Sequence, residues 1–267
     1  MNERISRRLE GRVAVITGGG QGVGLGIARR FAREGATLVL AQRNAQVGKA
    51  AASDLSSEFK VKAVFTKTDV CDRVQVGDLI DYAVTELGSL DILVNNAGGS
   101  FPKRLERHSD EDMAQGLDLN FWSTFWAMRA AFPFMKARRW GRIINIGSLN
   151  GVNAHMFTAQ YNVGKEAMRA LTRTAAVEWA QHGIACNIIC PAVGSPAHDV
   201  YEREHPEMVA QIKKQIPRGM LGDAERDVGG VAAFLASDDA AHMHGMTFHV
   251  DGGSHINGVA WRPDVDD

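Results

Sequence analysis

The sequence predicts an α/β fold: one Rossmann-like, doubly wound parallel sheet of about seven strands with helices on both faces. Three observations predict it. Short apolar runs rich in β-branched residues alternate with helical periodicity from residue 12 to residue 253. Glycine follows a helix and precedes a strand in EGA (34–36), LGS (87–89) and HGI (182–184), where a helix-terminating residue with positive φ belongs. No internal repeat, low-complexity tract or linker breaks the alternation. Alternating strands and helices bury a mostly parallel sheet between two helical layers, joined by right-handed crossovers.

The elements follow in order. RVAVITG (12–18) is a short strand ending in glycine, and the next helix carries Val23, Ile27 and Phe31 on one face. ATLVLAQ (36–42) is a second strand, 45–60 a helix, and VKAVFTKTDV (61–70) a third strand. Val76, Leu79, Ile80, Ala83, Val84 and Leu87 then follow the i, i+3, i+4 rule of an amphipathic helix. LDILVNN (90–96) is strand four. A long helix follows, opened by Ser109 with Asp112 three residues later, an approximate capping box. RIINIGS (142–148) is strand five, 158–181 a helix, IACNIIC (184–190) strand six, 224–236 a helix and TFHVDGG (247–253) strand seven.

This pattern fits one domain over residues 1–267, with tails at 1–10 and 256–267. The least regular piece, 191–222, holds four prolines and several charges. It reads as a substrate lid or as a surface excursion.

Composition narrows the function classes. The chain has 267 residues, 45% hydrophobic, with a net charge of −1. That is enough apolar material for a sizeable core and gives no global field for nucleic acid or an anionic membrane. The N-terminal MNERISRRLEGR has four arginines but no apolar run, so no secretory signal is expected. Arg129 and Pro133 interrupt the most apolar stretch, FWSTFWAMRAAFPFM, so no membrane span is expected. Cys71, Cys186 and Cys190 form no disulfide framework and suit a reducing, cytoplasmic compartment. No metal-ligand spacing stands out, His242 and His244 being an isolated pair.

The stretch TGGGQGVG (17–24) follows the first strand and opens the first helix. Backbone N–H groups at a helix start, with the helix dipole, form an anion site, and glycine lets a pyrophosphate approach. Gly18, Gly22 and Gly24 are spaced unlike G-x-G-x-x-G, so the motif alone is also compatible with a ligand-free turn. At the end of the second strand, where dinucleotide folds place an acid on the adenosine ribose, this chain has Gln42 and Arg43. Without the acid, a 2′-phosphate is not repelled and the guanidinium can hold it. NADP is therefore expected, with NAD as the alternative through hydrogen bonds from Gln42.

Tyr161 and Lys165 share a helix face at i, i+4. An ammonium beside a phenol favours the phenolate, which would make the tyrosine a usable acid or base. Ser148, at the end of strand five, could hydrogen-bond the reacting oxygen. Gly164 just before the lysine is costly in a helix interior and calls for close packing.

Taken together, T17-G18-x-x-x-G22-x-G24, Asp69-Val70, N95-N96-A97-G98, Asn120, Ser148, Y161-x-x-x-K165, Pro191 and V250-D251-G252-G253 resemble the short-chain dehydrogenase/reductase family over residues 11–255. The resemblance implies hydride transfer between NAD(P) and an alcohol or carbonyl, with no metal. Tyr161 would be the general acid/base. Lys165 would lower its pKa and bind the nicotinamide ribose, Ser148 would hold the substrate oxygen, and Asn120 would hold a relay water. Gly18, Gln21, Gly22, Val23, Gly24, Gln42, Arg43, Asp69, Val70, Asn96, Ala97, Gly98, Pro191 and Val193 would contact the cofactor. Asn95 reads either as part of that motif or as a sheet-stabilising residue. Pro191-Ala192 departs from the family's Pro-Gly, and Ser195 is the nearest counterpart of the threonine that follows. The aromatic run Phe121, Trp122, Phe125, Trp126 and Phe132 implies a homo-oligomer, dimer or tetramer. Phe101, Met156, Phe157 and Met220 suggest an apolar substrate pocket. A dinucleotide-binding regulator, or an isomerase or dehydratase on the same fold, are the rival readings.

Overall fold

The computed structural model describes residues 7–194, 203–204 and 206–256. Seven parallel strands form one sheet: β1 (Val13–Thr17), β2 (Thr37–Gln42), β3 (Ala63–Lys67), β4 (Ile92–Asn95), β5 (Gly141–Ile146), β6 (Ile184–Pro191) and β7 (Thr247–Val250). Their order is β3-β2-β1-β4-β5-β6-β7. The chain winds outward from β1 in one direction, then crosses to β4 and winds outward in the other. This reversal leaves a crevice at the C-terminal ends of β1 and β4, where open parallel sheets take ligands.

Alternation along each strand divides the core. Ala14 and Ile16 of β1 pack with helices α1 (Gly22–Arg33), α2 (Ala45–Phe59) and α9 (Gly229–Ala236). Val15 packs on the other face with α3 (Arg73–Leu87), α5 (Ser123–Arg138) and α7 (Ala159–Trp179). The three glycines expected to end helices have φ of +93° (Gly35), +82° (Gly88) and +74° (Gly183).

Two expected helices are interrupted, and residues 7–10 of the expected N-terminal tail pack on the fold. Leu9 is fully buried, its N–H donates to the Glu34 carbonyl, and the Arg8 guanidinium pairs with the Glu34 carboxylate. The helix opened by Ser109 is not continuous. The capping box is present at α4 (Asp110–Leu117), but a π-helical turn, Asp118–Trp122, separates it from α5. A second π turn, Ala224–Val228, precedes α9. Of the expected lid, residues 195–202 and 205 lie outside the described residues. The turn that follows helix α8 (Pro206–Gln215) packs on the β7 exit, where a β-carbon on Gly252 would meet Ile216 and Arg218. Among the described residues, no helix is long and apolar enough to cross a membrane.

Candidate active site

The glycine turn between β1 and α1 is pinned from two sides. The Gly18 N–H donates to the Ala41 carbonyl of β2 at 2.8 Å. From β4, the Asn96 side-chain amide donates to the carbonyls of Thr17 (2.9 Å) and Gly18 (3.2 Å). The Thr17 hydroxyl in turn accepts the N–H groups of Asn96 and Ala97, each at 3.0 Å. Side chains cannot enter this clamp: a β-carbon on Gly24 would lie 2.3 Å from the Gly18 oxygen, and one on Gly18 would lie 2.9 Å from the Asn96 amide nitrogen. Gly18 and Gly22 also hold φ of +64° and +53°, a region glycine enters at little cost.

The start of α1 fits an anionic cofactor. Helices α2, α3 and α4 are capped by the side chains of Asn44, Asp72 and Ser109, whereas Gln21 at the start of α1 makes no side-chain cap among the described residues. The first-turn N–H groups, including those of Val23 and Gly24, are thus left for another acceptor, at the positive end of the helix dipole. At the neighbouring strand end, Gln42 is half-buried and Arg43 exposed. The β2–β3 register pairs Gln42 with Lys67, a second exposed cation at this edge that sequence reading missed. Asp69 shapes the next loop. Its carboxylate accepts the Cys71 N–H at 3.0 Å and its own N–H donates to the Gln75 side chain at 2.9 Å, while Val70 turns into the core.

Four predicted residues meet on the far side of the crevice. Tyr161 and Lys165 lie one helical turn apart on α7, with the ammonium 5.5 Å from the phenol ring centroid. Lys165 is buried, and its Nζ donates to the Ile146 carbonyl at 2.8 Å. Ser148 caps the short helix α6 (Leu149–Val152), its Oγ accepting the Asn150 N–H at 3.1 Å, and it interacts with the Tyr161 hydroxyl. Asn120 sits in the π turn, whose extra residue per turn carries its side chain inward. Its amide nitrogen donates to the carbonyls of Gly99 and Gly116, both at 3.0 Å, and its oxygen accepts the Gly99 N–H at 3.2 Å. Gly98 lies between two of the four: a β-carbon there would be 2.9 Å from the Asn120 oxygen and 3.0 Å from Lys165 Nζ.

The net direction of the Tyr161 pKa is upward, opposite to what the Lys165 pair alone would give. Burial, the largest influence, pushes the phenol above its ordinary value; the Ser148 interaction pulls it down, and the adjacent Cys190 pushes it up. The ammonium is itself short of solvent, its pKa brought down to about 8 by burial. Its bond to Ile146 holds it behind the phenol ring.

Pro191 and Val193 leave β6 toward the same edge. The Ala192 N–H donates to Val250 and Val193 forms a bridge with Gly222. Ser195 lies outside the described residues. Asn95 belongs to the sheet: its amide donates to Asn145 at 2.8 Å, and Asn145 donates to Thr172 at 2.7 Å. Sequence reading also missed Gln160, which is fully buried. It donates to the Phe101 carbonyl and bonds His108, both at 2.8 Å, tying the loop after β4 to the start of α7. The signal the sequence offered was position alone, a glutamine immediately before Tyr161.

The family model described as "Enoyl-(Acyl carrier protein) reductase" matches residues 18–255. The chain belongs to the short-chain dehydrogenase/reductase family. It is 33% identical over 255 residues to 12alpha-hydroxysteroid dehydrogenase of a Clostridium species, spanning 91% of this chain and 96% of that protein. It is 38% identical over 260 residues to oxidoreductase UcpA of Escherichia coli strain K12, spanning 93% and 96%. The crystal structure of levodione reductase superimposes with a TM-score of 0.88 at 26% identity, over 94% of this chain and 100% of that one. These short-chain dehydrogenase/reductase relatives are oxidoreductases.

Proposed function

We propose that this chain is an NADP-preferring oxidoreductase interconverting a secondary alcohol and a ketone. The observation that carries the reading is the meeting of Ser148, Tyr161, Lys165 and Asn120 at the sheet edge that also holds a clamped glycine turn and an uncapped helix start. Gly18, Gln21, Gly22, Val23 and Gly24 would hold the pyrophosphate. Gln42, Arg43 and Lys67 would face the adenosine ribose and its 2′-phosphate. Asp69 and Val70 would border the adenine, and Ala97, Gly98, Lys165, Pro191 and Val193 the nicotinamide half. When bound, the cofactor supplies the hydride in reduction and accepts it in oxidation.

The protein's own chemistry is proton transfer. Ser148 Oγ donates a hydrogen bond to the substrate oxygen and fixes it beside Tyr161. The Tyr161 hydroxyl gives its proton to that oxygen as a carbonyl is reduced, and takes it back when an alcohol is oxidised. A phenol held neutral by burial is set up as the proton donor. Lys165 steadies the phenolate formed in the act, and Asn120 lines the route by which the proton is replaced.

The test mixes purified protein with NADPH or NADH and a panel of ring-bearing and open-chain ketones, following loss of reduced-cofactor absorbance. Turnover with at least one ketone is expected. Tyr161→Phe should cut kcat by about 10²–10⁴-fold, the usual worth of a positioned acid, while cofactor affinity stays within twofold. Equal activity in that variant would remove the mechanism.

A further inference from the structure

Beyond the four proton-handling residues, the two loops that flank them carry charge that the proposed reaction does not use. The loop after β4 runs from Gly98 outward to a 3-10 turn, Leu105–Arg107. Facing it is the loop between Ser148 and Tyr161. The two are tied by the Lys103 N–H donating to the Phe157 carbonyl at 2.8 Å and by the Gln160 bridge. Between them lies an open surface depression of about 320 Å³ lined by Pro102, Lys103, Arg104, Arg107 and Phe157.

Three cations line this space, and only one is neutralised. Lys103 pairs with Asp112. Arg104 and Arg107 are exposed and have no carboxylate partner among the described residues. The acids nearest in sequence, Glu106, Asp110 and Glu111, make no ion pair with either. The Arg107 N–H donates to the Arg104 carbonyl at 2.9 Å and both side chains line the same space, so two like charges without a carboxylate are held close to each other and repel. An anion shared between them would turn that repulsion into attraction.

An apolar wall stands beside the cations. The Arg104 guanidinium lies 5.7 Å from the Phe157 ring centroid. Phe157 itself holds φ of +67°, a region costly for a bulky side chain and found at ligand clamps. The strained backbone keeps the ring at the wall of the depression, four residues before Tyr161.

We infer that Arg104, Arg107 and Phe157 form a specificity subsite for a substrate that joins a ring or ring system to a carboxylate. The ring packs against Phe157 and the carboxylate is shared by the two guanidiniums. This rests on the oxidoreductase reading above, because it places the subsite on the loops that flank the residues of that reaction.

The test uses two matched probe pairs: 4-oxocyclohexanecarboxylate and dehydrocholate, each against its methyl ester. Binding to the NADP-loaded full-length protein is measured by calorimetry, and turnover with NADPH separately. The subsite predicts that at least one acid binds tenfold or more tightly than its ester. In the double variant Arg104→Gln/Arg107→Gln that ratio should fall to within twofold, and Arg104→Lys/Arg107→Lys should restore part of it. Equal binding of acid and ester, no binding of any probe, or a preference that survives the glutamine variant would overturn the subsite. An acid preference that behaves as predicted, with no hydride transfer from either cofactor to any probe or panel ketone, would instead overturn the oxidoreductase reading alone.

Discussion

Gly164 on α7 and Asn120 in the π turn are packed so closely that a β-carbon on the glycine would lie 2.8 Å from that of Asn120 and 3.3 Å from the Gly116 carbonyl. One turn earlier, a β-carbon on Gly116 would lie 2.5 Å from that of Gln160. Two helical segments therefore cross at two glycines, and the crossing holds Asn120 against the Gly98–Gly99 backbone next to Lys165. The close packing that Gly164 calls for in a helix interior is made against the Asn120 turn.

Gly164→Ala should therefore lose more than it gains. Alanine adds up to about 1 kcal/mol of helix propensity, but overpacking a rigid contact costs roughly 1–3 kcal/mol. Gly77 in the interior of α3 is the control, since no atom among the described residues lies within 4 Å of a β-carbon there. Gly77→Ala should raise unfolding stability by about 0.5–1 kcal/mol, whereas Gly164→Ala should lower both stability and kcat. Urea unfolding of both variants checks the signs, and a stabilised, fully active Gly164→Ala would refute the packing argument.

Cofactor preference is predicted from the β2–β3 edge. Gln42 carries no charge to repel a phosphate, while exposed Arg43 and Lys67 sit at the two strand ends paired by register. Hydrogen bonds to charged groups are worth about 1.5–3 kcal/mol, or roughly tenfold and upward in affinity. Arg43→Ala should raise the KM for NADPH at least tenfold, Lys67→Ala several-fold, and neither should move the KM for NADH beyond twofold. Steady-state kinetics with both cofactors decide it; an equal loss for NADH would assign Arg43 to some other contact.

How much of this was legible in the sequence depended on the range of the interaction. Strands, helix-ending glycines and the Ser109 cap are local, so β1 to β7 and Gly35, Gly88 and Gly183 could be read from spacing. Ser148, Tyr161 and Lys165 stood out in the sequence because each follows a strand or shares a helix face, and their roles were read from the family resemblance. The π turn at Asn120 was not: it lies where Gly116 meets Gln160 and Gly164 meets Asn120, two pairs each 44 residues apart in the chain. Lys67 was missed because it becomes an edge cation only through its register with Gln42. The raised Tyr161 pKa was missed because proximity to an ammonium is visible in an i, i+4 pair, whereas depth of burial is not.

Self-association is predicted from α7. Val163, Ala170 and Val177 are exposed at seven-residue spacing, Val177 to 81%, so they share one stripe. Trp122, also exposed, lies on the π turn that packs against α7. An exposed apolar stripe is the kind of surface that subunit contacts cover. Light scattering should give a mass of at least a dimer for the wild type, and Val163→Glu/Val177→Glu should reduce it. A monomeric wild type would leave the stripe an ordinary surface.

The last prediction concerns the pH dependence that buried Lys165 confers on stability. Its pKa falls from an ordinary 10.5 when unfolded to about 8 in the fold, burial being the cause. Below pH 8 both states carry the proton, and the fold bears the full cost of a desolvated ammonium. Between pH 8 and 10.5 the unfolded chain binds more protons than the native one, so this group makes stability rise with pH. The difference of about 2.5 units corresponds to roughly 3 kcal/mol, lifted as the lysine becomes neutral. Lys165→Met keeps the length of the side chain and removes its charge. In cofactor-free protein, Lys165→Met should be more stable than wild type by up to about 3 kcal/mol near pH 7, and the gap should narrow toward pH 10. Urea unfolding of the two proteins across that range measures the gap directly. A gap that stays constant would mean that Lys165 keeps its proton throughout, and that the Ile146 carbonyl compensates its burial.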